Sequence, residues 1–378
     1  MSRIAVIAPS LKRNAFYTPW QFAGALQKRH DAIIIGPGRK EDLWSPAKWT
    51  SLAIHFIEES SRDARPELLA ALRSIDLLYV FGATSWTGLA LWARRRTGIP
   101  VVVHLDDWEG GYFSDRPLFR RLWYVLRAPR NNEVIQRYWE SRTAAADEIT
   151  VSSRALQRRF GGSIVRQGVD TDRYSPANYP RGEARRRLGI RHDERIVLFL
   201  GTPAQHKGLE DLLAVFRSIR VPDARLWIVG RSPDEVYQRR LESGAPENVS
   251  FLPNLPMDEA TWYMSACDVF VVPQRPIAFA MHQIPAKIIH AMAAGACVVG
   301  TDVGDISDLL RDGAGIVIPP SDPSSLLEAI RTLLSDEGLR SATGSRARTR
   351  AVEHYGWDAM SRQLEELVQR LPRVARHK

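Results

Sequence analysis

VFVVPQRPIAFAMHQIPAKIIHAMAAGACVVG, residues Val269–Gly300, sets two short apolar runs on either side of a loop and a helix. Val269–Val272 and Cys297–Val299 have the length and unbroken apolarity of central strands in a parallel sheet. Pro285 stands where a helix favours a first-turn proline, and Ala286–Ala294 follows with Gly295 as its stop. A loop that ends on a helix N-terminus is an anion site, because the first backbone N–H groups and the helix dipole both point at the ligand. The geometry suits a diphosphate, with backbone N–H groups of Ala280, Met281, His282 and Gln283 expected to face its oxygens.

The same rhythm extends outward from this stretch. Strand-like runs in the second half fall at Ile196–Leu200, Leu226–Val229, Val249–Leu252, Val269–Val272, Cys297–Gly300 and Ile316–Ile318. In the first half they fall at Ile4–Ala8, Ala32–Ile35, Leu77–Phe81, Val101–His104 and Glu148–Val151, with helical stretches between. One helix is expected to start at the Thr18-Pro19 cap and to run through Trp20–Lys28. Such alternation defines an α/β chain with parallel sheets. The division expected is an N-terminal Rossmann-like domain over 1–169, a linker over 170–195, a C-terminal Rossmann-like domain over 196–356, and a closing helix over 357–378. Two such halves face each other across a cleft in this scheme, with ligands at the carboxyl ends of the strands.

At 378 residues the chain is long enough for two cores, and 44% hydrophobic with 25% charged residues is a globular composition. No apolar run approaches the roughly 20 residues of a membrane span, and the opening MSRIAVIAPSLKRN reads as a first strand rather than a signal peptide. Cys267 and Cys297 lie in apolar surroundings and form no metal or disulfide pattern, which fits small core residues in a reducing cytoplasm. The formal charge of +9 asks for an acidic partner. RPLFRRLWYVLRAPR, Arg116–Arg130, interleaves five arginines with aromatic and aliphatic residues. Arg116, Arg120, Arg121, Trp123 and Arg127 are therefore candidates for contact with an anionic membrane surface; the alternative is a helix packed on its own domain. No nucleic-acid-binding signature accompanies the charge.

The second half opens on LFLGTPAQHKG, Leu198–Gly208: a strand, a loop, and a lysine before a glycine and a helix. Lys207 presents a point charge suited to a phosphate. In the first half VVVHLDDW, Val101–Trp108, ends a buried run on a histidine and two carboxylates. Polar residues at the C-terminal end of a parallel strand are expected at the cleft rather than in the core.

Together these motifs resemble the retaining glycosyltransferases of the two-domain GT-B fold, family 4. The resemblance spans nearly the whole chain and is strongest from Ile196 to Pro320. Those enzymes carry two glutamates eight positions apart in the donor stretch, and both positions are histidines here, His282 and His290. The family's second glutamate clasps a ribose diol, so the resemblance implies a ribose contact for His290, expected outside the core on the face opposite Ile288 and Met292. Its first glutamate lies near the sugar, and relatives with a Pro-x-Lys element before the helix also lack it. The family's phosphate-gripping Arg and Lys fall on Thr202 and Lys207, so one cationic contact is replaced by a hydroxyl. The resemblance gives His104 contact with the donor sugar's hydroxyls. It gives Asp106 acceptor positioning or help in deprotonation; Leu105, inserted after the histidine, leaves Asp107 as the other aspartate for that place, its alternative being an N-cap or loop carboxylate.

QGVDTD, Gln167–Asp172, matches the family's passage into the linker, and Tyr355-Gly356-Trp357 matches the start of its closing helix. The family's Gly-Gly pair in the first loop is missing, leaving side chains such as Asn14 and Tyr17 to line that approach. The reaction implied is transfer of a sugar from a nucleotide-diphosphate-sugar to an acceptor hydroxyl with retained anomeric configuration. It would need no metal and no cofactor beyond the co-substrate, and domain closure would exclude water. A lipid-linked or polysaccharide acceptor at the inner face of the cytoplasmic membrane fits the basic segment. Two other readings fit the altered donor motif: a non-catalytic nucleotide- or glycan-binding subunit, and a nucleotide-sugar epimerase-like enzyme.

Overall fold

A computed structural model describes residues 1–43, 51–58, 64–114, 116–128 and 132–371, with the backbone alone for Arg13, Asn14, Asp42, Tyr112, Arg120 and Tyr124. The side chains of two expected site residues, Asn14 and Arg120, thus lie outside the described residues. The chain divides into two compact units. Unit 1 comprises Met1–Gly168, His282–Ile284 and Trp357–Lys378; unit 2 comprises Val169–Met281 and Pro285–Gly356.

Unit 1 is built on seven parallel strands: β1 (Arg3–Ile7), β2 (Asp31–Pro37), β3 (Ala53–Ile57), β4 (Leu77–Phe81), β5 (Val101–Leu105), β6 (Glu148–Val151) and β7 (Ser163–Ile164). Their spatial order is β3-β2-β1-β4-β5-β6-β7. The inner strands are apolar on both faces because helices cover both, and Ile4–Ile7 and Leu78–Val80 are fully enclosed. The outermost strands, β3 and β7, were not foreseen. AIHFI alternates exposed and partly buried residues, and β7 is only two residues long, so neither has the unbroken apolar run of an inner strand.

The first long helix spans Tyr17–Gln27, and its N-cap is Phe16 rather than Thr18. Thr18 lies inside the first turn, where its hydroxyl donates to Asp106 Oδ2 at 2.6 Å instead of capping the helix. Tyr17, expected in the loop, is the first helical residue and is buried. The last helix, Trp357–Arg370, packs on this one within unit 1. Trp357 meets Gly24 so closely that a Cβ there would approach the indole to 2.9 Å. Lys28–Asp358 at 2.7 Å and His30–Glu365 at 2.9 Å fasten the pair.

Unit 2 carries β8 (Arg195–Leu200), β9 (Ala224–Val229), β10 (Val249–Leu252), β11 (Val269–Val272), β12 (Val298–Thr301) and β13 (Ile316–Ile318), all parallel, in the order β10-β9-β8-β11-β12-β13. The stretch 170–195 folds into this unit. Its helix Arg181–Arg187 sends Arg181 to within 2.8 Å and Arg185 to within 3.5 Å of the buried Asp268, whose Oδ2 also accepts from the Ile196 amide at 2.7 Å. A carboxylate this deeply enclosed needs such partners. Cys267 and Cys297 are free thiols in the core, the latter pushed up to about 12 by burial.

Candidate functional site

In an open parallel sheet, ligands collect where the strand order reverses, beyond the carboxyl ends of the strands. In unit 2 that point lies between β8 and β11. The loop leaving β8 ends in a short turn, Gln205–Lys207, and a glycine at φ +66° that starts the helix Leu209–Ser218. Gly208 is dictated by sterics: a Cβ there would collide with the carbonyl oxygen of Pro273, just past β11. The two loops are stitched together, with the Arg275 amide donating to the His206 carbonyl at 2.8 Å. Arg275 in turn holds Asp211 through two hydrogen bonds of 2.9 and 3.1 Å. Lys207 is half-buried on this seam, and Thr202, near the start of the same loop, is exposed. His206 is lowered to about 4 by burial and then by Lys207, so at neutral pH the lysine supplies the charge of the pair.

The segment after β11 departs from the expected open loop. Ala278–His282 is a short helix, and the Met281 amide donates to the Ile277 carbonyl at 2.9 Å. That N–H is thus committed within the helix instead of facing an anion, and Ala280 is fully buried. The following helix, Ala286–Ala293, starts after Pro285 as N-cap, with no side chain capping its first turn. Lys287 sits in that turn and is lowered to about 8 by desolvation. Sequence reading passed over it as a site residue, although Pro285-Ala286-Lys287 was the signal.

His290 corrects an expectation. It is 1% exposed, packed edge-on against Tyr174 with ring centroids 5.0 Å apart. Burial and then Lys287 hold it well below the usual histidine range, so it is neutral at pH 7. The expected outward face does not exist, because Ile288–Ala293 is buried all round.

In unit 1 the order reverses between β1 and β4, and a cavity of about 300 Å³ opens over the carboxyl ends of β1, β4 and β5. Asp106 and Asp107 line it. His104 does not. It is fully buried among Phe22, Tyr79 and Phe81, with ring centroids 4.4, 6.4 and 5.1 Å away. Its Nδ1 lies 3.0 Å from Thr150 Oγ1, and its Nε2 is 3.9 Å from Asp106 Oδ1, beyond hydrogen-bond reach. The expectation that it faces the ligand fails because β5 runs one residue further, through Leu105, leaving Asp106 as the first residue beyond the strand. Asp106 is one-third exposed and fixed by Thr18, whose hydroxyl is also 3.2 Å from Gln167 Oε1.

His282 and Gln283 also belong to unit 1. The His282 ring lies 4.8 Å from Trp108, its carbonyl accepts from Ser153 at 3.0 Å, and Gln283 Nε2 donates to Asp107 Oδ1 at 3.2 Å. The expected donor residues are thereby sorted: Thr202, Lys207, Ala280, Met281 and His290 fall in unit 2, and His282 and Gln283 with Asp107 in unit 1. Among the described residues, no group of three or more His, Cys, Asp or Glu side chains is placed to hold a metal ion.

On the basic helix, now Leu118–Arg127, Arg121 is bound by Glu133 through two 2.7 Å hydrogen bonds, which hold that carboxyl below its usual range. Arg116 is half-buried and Arg127 exposed. Leu118, Phe119, Leu122, Trp123 and Leu126 are all exposed, Leu126 by 80%.

Two parallel-sheet Rossmann-like units and a closing helix define the GT-B class of fold. The sequence model of the family described as Glycosyl transferases group 1 matches residues 180–350. The chain is 29% identical over 370 residues to the GDP-mannose-dependent alpha-(1-6)-phosphatidylinositol monomannoside mannosyltransferase of Mycolicibacterium smegmatis, spanning 92% of each protein. It is 30% identical over 311 residues to the D-inositol 3-phosphate glycosyltransferase of Streptomyces bingchenggensis, spanning 71% of this chain and 66% of that one. Anabaena HepE in complex with UDP and glucose aligns with TM-score 0.77 at 18% identity, over 98% of this chain and 100% of that one. The chain belongs to the group 1 glycosyltransferases.

Proposed function

We propose that this glycosyltransferase moves a sugar, with retention, from a nucleotide-diphosphate-sugar held by unit 2 to a hydroxyl of an acceptor held by unit 1. The observation that carries the reading is the β8/β11 seam, where Lys207 and a glycine-tight turn sit at the switch point, with the Ala286–Ala293 helix following β11 along the chain. A diphosphate there meets a cation and backbone donors. The acceptor oxygen attacks the anomeric carbon on the face the diphosphate leaves, and the acceptor proton passes to a departing phosphate oxygen. Asp106 orients that hydroxyl and assists its deprotonation, and Lys207 with Lys287 stabilises the leaving group. His104 is a positioning residue behind the aromatic layer. GDP-mannose is the first donor to test, because the relative that spans 92% of the chain is named for it.

A thermal-shift titration with UDP, GDP, ADP and dTDP is the test. One nucleotide should raise the melting temperature well above the others. No shift with any of them at millimolar concentration would favour the non-catalytic subunit. Affinity for that nucleotide should also fall as pH rises through about 8, where Lys287 loses its charge in the free protein. The sign follows from the lowered value: above it the free lysine is neutral, and binding a diphosphate must take up a proton. The slope should reach at most about tenfold per pH unit. A flat profile from pH 7 to 9.5 would remove Lys287 from the site.

We further propose that the helix Leu118–Arg127 rests on anionic membrane, given its exposed apolar residues beside exposed Arg127. Among the described residues no helix is long and apolar enough to cross a membrane, so this contact is peripheral. Flotation with vesicles containing phosphatidylglycerol should recover the protein about tenfold better than with phosphatidylcholine alone. Trp123→Ser with Leu126→Ser should abolish that difference. Equal recovery by both lipids would sink the idea.

A further inference from the structure

The charge on the unit-1 cavity runs against the charge of the chain. Although the protein carries +9, the described residues lining this cavity include four carboxylates and neither lysine nor arginine. Asp106 and Asp107 come from the end of β5, Glu109 stands exposed just beyond them, and Glu140 reaches in from the helix Glu133–Thr143, with Phe81 and Phe160 as apolar walls.

Glu140 is the telling member. Its side chain is 9% exposed, yet Oε1 meets no partner of hydrogen-bond geometry among the described residues. Arg159 approaches only the other oxygen, at 3.6 Å, and is itself stacked 3.9 Å over the Trp108 ring. Trp108 and Gly110 stand beside the carboxylate. Burial raises this carboxyl, opposed first by Arg159 and then by the neighbouring Trp108 indole N–H and Gly110 backbone. None of these neighbours brings Oε1 a well-aligned donor, and a ligand hydroxyl in the cavity would supply one.

We infer that the cavity admits its acceptor as an uncharged polyhydroxy ring and discriminates against a ring bearing phosphate. The inference rests on the glycosyl-transfer reading above for calling this ring the acceptor. Carboxylates only accept hydrogen bonds, so vicinal hydroxyls answer them, whereas a phosphate brings further acceptors and like charge. Like-charge juxtaposition in an enclosed site excludes a wrong partner strongly. A cavity of about 300 Å³ holds a single ring, leaving any lipid or further sugars outside. Glu140 and Glu109 are then specificity-determining residues.

The test pairs methyl α-mannoside and myo-inositol with their monophosphates, at pH 8 and without added metal. Binding to the full chain is read by ligand-detected NMR, and transfer by kcat/KM with the donor that the nucleotide melt identifies. The neutral member of a pair should be preferred about tenfold or more. Glu140→Gln should narrow that gap by about threefold or more, and Glu109→Gln should narrow it less because the residue is exposed. Melting temperatures show whether each variant folds, and Glu109→Gln keeps the test alive if Glu140→Gln does not. Phosphorylated rings that bind as well as neutral ones, or a gap untouched by both substitutions, would overturn the inference. Those results would leave the transferase reading standing if a nucleotide still binds. Neutral-ring preference without nucleotide binding would uphold the cavity's selectivity and defeat the transferase reading instead.

Discussion

Asp106→Asn is expected to lower kcat/KM for sugar transfer by about 10²–10⁴-fold, the usual range for losing a positioned acid–base group. The substitution keeps the volume and one acceptor oxygen but removes the negative charge that draws a proton from the acceptor hydroxyl. Asp106 is the first residue past β5, partly open to the cavity and anchored by the 2.6 Å bond from Thr18. Its carboxylate is thus held in one orientation before an acceptor arrives, and that preorganisation is what the substitution discards. Nucleotide affinity should stay within about twofold, because Asp106 lies in unit 1 and the diphosphate contacts proposed lie in unit 2. Steady-state kinetics beside nucleotide calorimetry check both halves of the expectation. Activity within tenfold of the original would remove Asp106 from the chemistry.

Lys207→Ala should show the opposite division. A charge-assisted hydrogen bond to a phosphate contributes about 1.5–3 kcal/mol, so the nucleoside diphosphate should bind roughly 10–150-fold more weakly. Transfer should fall further, by about 10²–10³-fold in kcat/KM, since charge on the leaving group grows in the transition state. The same nucleoside without phosphates should bind equally to both proteins, which separates lost charge from a disturbed loop. Gly208 and the His206–Arg275 bond hold that loop independently of the lysine side chain, so the unliganded melting temperature should hardly change. Equal loss for nucleoside and diphosphate would mean that Lys207 shapes the loop and touches no phosphate.

The two sheets were legible because inner parallel strands are apolar on both faces, and runs such as Ile196–Leu200 and Leu77–Phe81 say so without context. Strand β3 was not, because an edge strand alternates, and AIHFI resembles a loop as much as a strand. The placement of candidate site residues was legible where it follows from position along the chain, as with Lys207 before its glycine and Asp106 after its strand. It was illegible where three dimensions decide. His104 was expected outside and lies in the core because a strand extended by one residue. His290 was expected on a polar face of a helix that is covered on every side. Glu140 lies over thirty residues beyond Asp106 on an ordinary amphipathic helix, and no local pattern joins it to the same cavity. The Thr18 hydroxyl looked like a cap, but its partner comes from the end of β5, far along the chain.

The packing of Trp357–Arg370 on the helix Tyr17–Gln27 has a consequence for synthesis. The first half emerges from the ribosome before its outer layer exists, for Trp357, which covers Trp20, Gln21 and Gly24, is translated 336 residues after Gln21. At typical elongation rates the interval is on the order of tens of seconds. Throughout it, an apolar stripe meant for Trp357 is open to solvent and to chaperones. A stop codon just ahead of Trp357 would consequently damage unit 1, sparing the unit whose last residue it follows.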